Sequence, residues 1–83
     1  MAEVLVGEEE LVSMLSQTLG EAKAREVLAT ALGALGIRRR LLTVGQALDA
    51  LELIAAQPGI VGMTARFAKS RVHLTALAKR QAG

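Results

Sequence analysis

Two side chains in this sequence carry the chemistry of a nucleophile and its base: Ser70 and His73, three residues apart. A hydroxyl beside an imidazole can be activated for covalent catalysis, provided an acid orients the imidazole and a loop of backbone N–H groups receives the developing charge. Neither is near in sequence, so the two read as surface polar residues. His73 is the sole histidine and there is no cysteine, which leaves no recognisable metal-ligand set and no disulfide. Glu8, Glu9 and Glu10 are adjacent, and adjacent helical residues point about 100° apart, so their carboxylates do not converge as an acid–base pair. Gly59-Ile60-Val61-Gly62 lacks the spacing and the lysine of a phosphate-binding loop. These readings assign no catalytic residue, no metal and no cofactor, and a non-enzymatic protein is expected.

The basic residues are the remaining candidates. Arg38, Arg39 and Arg40 form a run, and five more cations follow Pro58 with no acid among them. At 100° per residue, Arg66, Lys69, His73 and Arg80 fall within about 60° of one another. That stripe suits phosphates and equally suits a solvated helix face. Against nucleic acid stand a net charge of only +2 and the absence of an aromatic platform, Phe67 being the one aromatic residue. The acids concentrate at the other end: residues 1–26 hold Glu3, Glu8, Glu9, Glu10, Glu21 and Glu26 against Lys23 and Arg25. Such polarity marks either a polyanion-binding end or complementary halves that pair within or between chains.

Four helices are needed to position these groups. The first is predicted from about Glu8 to Leu19, with Leu11, Val12, Leu15, Thr18 and Leu19 on one face and the glutamates in its favourable first turn. Thr18 to Glu21 has the form of a capping box for a second helix, whose apolar stripe is Ala24, Val27, Leu28, Ala31, Leu32 and Leu35. Gly36 should stop it. Gly33, inside it, is expected to admit another helix at close range. Thr43 and Gln46 form a further capping box for a third helix, striped by Val44, Ala47, Leu48, Leu51, Ile54 and Ala55, which Gln57-Pro58-Gly59 ends. The fourth, about Ile60 to Gln81, carries Ile60, Met63, Phe67, Leu74 and Leu77, close to a heptad seam with Ser70 in the missing slot. Arg71 projects inside that stripe, where its stem snorkels outward or it meets an acid among Glu8–Glu10, Asp49 and Glu52. No internal repeat is visible.

The chain has 83 residues, of which 52% are apolar, with a mean hydropathy of +0.39. A domain this small has too little interior for that content, even with alanine contributing much of it. Self-association or a standing protein partner would bury the surplus. The fold class expected is all-α: a small four-helix domain, antiparallel neighbours joined by short turns, over residues 8–83 as a single helical domain, forming a helical dimer. Residues 1–7 form an arm, either flexible or a short strand that could pair across the dimer. The acidic start lacks the basic region of a secretory signal, and Asp49 and Glu52 interrupt the longest apolar run short of a membrane span of about 18 residues. A cytoplasmic, non-membrane protein is expected.

Two segments resemble a known family. Gln46–Gly59, "QALDALELIAAQPG", resembles the first helix of IclR-type winged-helix regulators, and Lys69–Leu77, "KSRVHLTAL", is similar to their recognition helix. In that family a further helix and turn lie between the two pieces; here Ile60–Ala68 is the length available. The resemblance implies DNA binding, and the alternative expectation is therefore a small DNA-binding regulator using Arg66, Lys69, Ser70, Arg71 and His73, with Arg38–Arg40 on phosphates and Arg80 of the basic stripe as a further candidate contact. The leading expectation is instead a non-enzymatic interaction or oligomerisation module, regulatory or adaptor in role, whose interface is Ile60, Met63, Phe67, Arg71, Leu74 and Leu77.

Overall fold

A computed structural model describes residues 4–82 of the chain. Of the N-terminal arm, Ala2 and Glu3 lie outside the described residues. Leu5–Gly7 forms a strand, β1, which leads directly into α1, Glu8–Leu19. Gly20, with φ +81°, then turns the chain into α2, Glu21–Ala34. A connector crosses to β2, Leu41–Thr43, followed at once by α3, Val44–Ala55. After a short turn α4 runs from Gly59 to Ala82, 24 residues. The four helices pack against one another as the sequence predicts, with a two-stranded ribbon added: β1 and β2 pair antiparallel, Val6 opposite Leu42, both fully buried.

The order therefore repeats. A three-residue strand, a twelve-residue helix and a further helix occur twice. The antiparallel register places a local two-fold axis at the Val6–Leu42 pair. No repeat is visible in the residues because the two halves share positions and burial rather than identities. Even the helix starts correspond: the N–H of Gly7 donates to Glu10 Oε1 at 3.2 Å, and that of Thr43 to Gln46 Oε1 at 3.0 Å. Thr43 completes the predicted box, its Oγ1 accepting from the Gln46 N–H at 3.0 Å. The box expected at Thr18–Glu21 does not form. Thr18 belongs to the last turn of α1, and Gly20, which has no side chain to cap with, occupies the N-cap of α2. At the far end of α2 the stop is as expected: Gly36 N–H bonds Gly33 O and Ile37 N–H bonds Leu32 O, satisfying two terminal carbonyls.

Leu11, Leu15, Leu28, Leu42, Leu51, Ile54, Val6 and Val72 are the largest side chains of the core. They come from both halves, so burial of each helix depends on the other pair. The predicted stripes of α1, α2 and α3 face this core, except that Thr18 is exposed and Leu35 stands outside it at 39% exposure, and Ala50 is added to it. Gly33 has open space around it rather than a close neighbour. The close approach occurs instead at Gly62, where a Cβ would stand 2.0 Å from the Gln57 carbonyl oxygen and 2.9 Å from that of Ala55. Among the described residues no helix is long and apolar enough to cross a membrane.

Candidate functional site

Helix α4 has two apolar faces, and the smaller residues own the buried one. Thr64, Ala65, Ala68, Val72 and Ala76 are buried against α3 and α1, with Gly62 at the closest point. Thr64 satisfies its hydroxyl by donating to the Ile60 carbonyl at 2.6 Å. The predicted stripe lies on the other side. Ile60 is 56% exposed, Met63 54%, Phe67 68%, Leu74 67% and Leu77 52%. The stripe is therefore not part of the domain's own core. The space beside α3 and α1 is already filled by Leu11, Leu15, Leu51 and Ile54, which leaves room for alanine and glycine but not for a second row of bulky side chains.

Residues on the rims of this exposed row are basic. By helical projection Arg66, His73 and Arg80 run along one edge, seven residues apart, and Arg71 stands on the other edge. All four are exposed. Among the described residues Arg71 meets no acid; its guanidinium donates to Gln17 Oε1 of α1 at 3.1 Å. That contact holds the arginine on the border of the row without neutralising it. Lys69, by contrast, is paired with Glu52 of α3, and this ammonium holds the Glu52 carboxyl below its ordinary range. Ser70 and His73 are both exposed on α4. Among the described residues no three His, Asp or Glu side chains are grouped to hold a metal ion.

Arg38, Arg39 and Arg40 are exposed in the connector between α2 and β2. The Arg40 carbonyl accepts the Glu8 N–H at 2.7 Å, and Arg40 lines an open cleft of about 570 Å³ together with Gly7, Glu8, Glu9, Arg25 and Leu41. Arg40 thus belongs to the neighbourhood of α1 and α2, whereas Lys69 is committed to α3. Within that cleft Arg25 grips Glu9 with two hydrogen bonds of 2.8 Å and also reaches Glu21 at 2.9 Å. The hydrogen bond from Arg25 lowers the Glu9 pKa, and the two glutamates raise that of Arg25.

Lys79 carries a role that sequence reasoning missed. From the last turns of α4 its ammonium donates to the Leu5 carbonyl at 2.8 Å and to Glu10 Oε1 at 3.0 Å. Burial raises the Glu10 pKa, but Lys79 and the Gly7 N–H outweigh it, and the carboxyl titrates below its ordinary value. One lysine therefore ties α4 to the start of β1 and α1. The partners lie 69 and 74 residues away along the chain, so no local pattern could reveal them. Some of the charge polarity between the two ends of the sequence is consumed here, inside one chain. Comparison with protein-family models, with curated proteins and with solved structures gives no match.

Proposed function

We propose that this chain is a non-enzymatic interaction module, regulatory or adaptor in role, that uses the exposed row of α4 to self-associate or to dock a protein partner. The observation that carries the reading is the exposure of Ile60, Met63, Phe67, Leu74 and Leu77 on a helix whose opposite face already fills the core. Full burial of one such side chain is worth roughly 1.5–3 kcal/mol, so five left more than half exposed forgo on the order of 5 kcal/mol that a partner would recover. The row extends from Ile60 to Leu77, roughly 25 Å at 1.5 Å per residue, a length suited to one facing helix.

The fold does not require this row, and its own other half supports that. The buried positions Ala24, Val27, Leu28 and Ala31 of α2 have the spacing of Val61, Thr64, Ala65 and Ala68 of α4. In that alignment Lys23, Glu26, Thr30 and Gly33 occupy the places of Ile60, Met63, Phe67 and Ser70. The same outward face is polar on one helix and bulky apolar on the other.

The test is a pull-down from source cells with tagged wild-type chain and with the Phe67→Ser, Leu74→Ser double variant, each with and without nuclease, paired with light scattering of the purified proteins. Both residues are exposed, so the variant should keep wild-type stability within about 0.5 kcal/mol. The expected result is a protein, or a second copy, held by the wild type after nuclease and lost from the variant. Identical recovery by both proteins with a monomeric mass sinks the reading. Recovery abolished by nuclease favours the nucleic-acid alternative through Arg66, Lys69, His73, Arg80 and Arg38–Arg40.

A further inference from the structure

We infer that the occupant of the α4 row is an amphipathic helix of another protein whose apolar residues are bordered by aspartate or glutamate. This inference rests on the docking reading above and names the partner's chemistry. The row is a heptad-like seam: Ile60, Met63, Phe67, Ser70, Leu74 and Leu77. Seams of this spacing are filled by the side chains of a facing helix. Its borders carry cations on both sides, Arg66 and Arg80 on one, with His73 between them, and Arg71 on the other, and no acid occurs anywhere in Gly59–Ala82. Among the described residues Arg66, Arg71 and Arg80 make no ion pair, while Lys69 and Lys79 are each taken by a glutamate of their own chain.

A second copy fits this seam poorly. Antiparallel pairing of two α4 helices sets like edges together, so the edge of Arg66, His73 and Arg80 faces the same edge of the second copy. Parallel pairing sets the Arg66 edge against the Arg71 edge. Either way cation faces cation, which opposes association. Among the described residues Glu9, Glu10, Glu21, Glu26 and Glu52 are already engaged by Arg25, Lys79, Lys23 and Lys69, and the acids without an ion pair, Glu8 on α1 and Asp49 on α3, lie on separate helices rather than along the borders of one apolar seam. Duplex nucleic acid fits less well again, since Met63, Phe67, Leu74 and Leu77 stand between the cations and would be pressed against phosphates. An anionic lipid surface also attracts an apolar row bordered by arginines, but the seven-residue spacing of the row is that of a seam filled by a facing helix.

Binding of two labelled synthetic helices to the full chain, read by fluorescence anisotropy, tests the inference. The helices share a leucine and isoleucine seam; one is bordered by glutamate and the other by lysine. The acidic helix should bind at least about tenfold more tightly at roughly 50 mM salt, with the margin shrinking at high salt. The variant Arg66→Glu, His73→Glu, Arg80→Glu should abolish or reverse the preference. Equal binding of the two helices overturns the inference. Tighter binding of duplex DNA, or of phosphatidylserine vesicles, through the same arginines also overturns it. Micromolar self-association lost in the Phe67→Ser, Leu74→Ser variant removes this inference and leaves the docking reading standing. Absence of every such association removes both.

Discussion

Two glycines of this protein should respond to the same substitution with opposite signs. Gly62→Ala places a methyl group 2.0 Å from the Gln57 carbonyl oxygen and 2.9 Å from that of Ala55. Both neighbours are backbone at the α3–α4 turn, where the Gln57 N–H is bonded to Ile54 O at 3.0 Å, so neither can rotate aside. Relief requires α4 to move away from α3, the pair that makes the broadest helix–helix contact in the molecule. Overpacking of this kind costs about 1–3 kcal/mol, and a backbone clash belongs at the upper end. Alanine returns up to about 1 kcal/mol of helix propensity, leaving a net loss of about 2 kcal/mol. Gly33→Ala meets nothing within 4 Å inside α2, so only the propensity gain operates, about 0.5–1 kcal/mol of stabilisation. Urea unfolding followed by circular dichroism measures both, with unchanged slopes required for the comparison. For a domain of this size the two thermal midpoints should separate by more than about 10 °C. A Gly62→Ala protein as stable as wild type would refute the close approach of α4 to the turn, and a destabilised Gly33→Ala protein would refute the open face of α2.

Further outcomes follow from single contacts. Thr43→Ala removes the hydroxyl that accepts the Gln46 N–H and should cost about 1 kcal/mol in the same urea assay, with no loss refuting the cap. Glu10 has a folded pKa below its ordinary 4.5, so its contribution is complete above that value and is lost as pH falls through the lowered one. Glu10→Gln should therefore flatten the fall of urea midpoint below about pH 4.5, without erasing it, because Glu9 and Glu52 are also lowered. An unchanged acid limb in Glu10→Gln would show that Lys79 does not bind the ionised carboxylate.

All four helices of this fold are readable from the residues, three of them because each stripe uses large side chains at helical spacing and the core accepts them. The Thr43–Gln46 box and the Gly36 stop are local devices, three residues long, and local devices survive into the structure. What sequence reading could not supply depends on distant partners. Val6 and Leu42 become a buried strand pair only when both halves are present. Lys79 gains its meaning from Leu5 and Glu10. Thr18–Glu21 had the right spacing for a cap, but α1 continues through Thr18 and the turn falls at Gly20. On α4 only the bulky row is legible in the residues, and the inner face, Thr64, Ala65, Ala68, Val72 and Ala76, is missed, because small residues at a close helix approach leave no bulky stripe to mark them.

That division of α4 bears on function. A fold that only needed to bury α4 could have carried polar residues outside, as α2 does with Lys23, Glu26 and Thr30. Instead the outer face carries Met63, Phe67, Leu74 and Leu77, bordered by arginines that make no ion pair among the described residues, while Lys69 and Lys79 are each given a glutamate. Stability of the monomer explains the inner row and the paired lysines. It does not explain bulky apolar groups more than half exposed beside these arginines, an arrangement that exposes hydrophobic area and concentrates like charge at once. Both features become favourable together when an acidic, apolar-seamed helix covers the row, because the same event buries the side chains and neutralises their border.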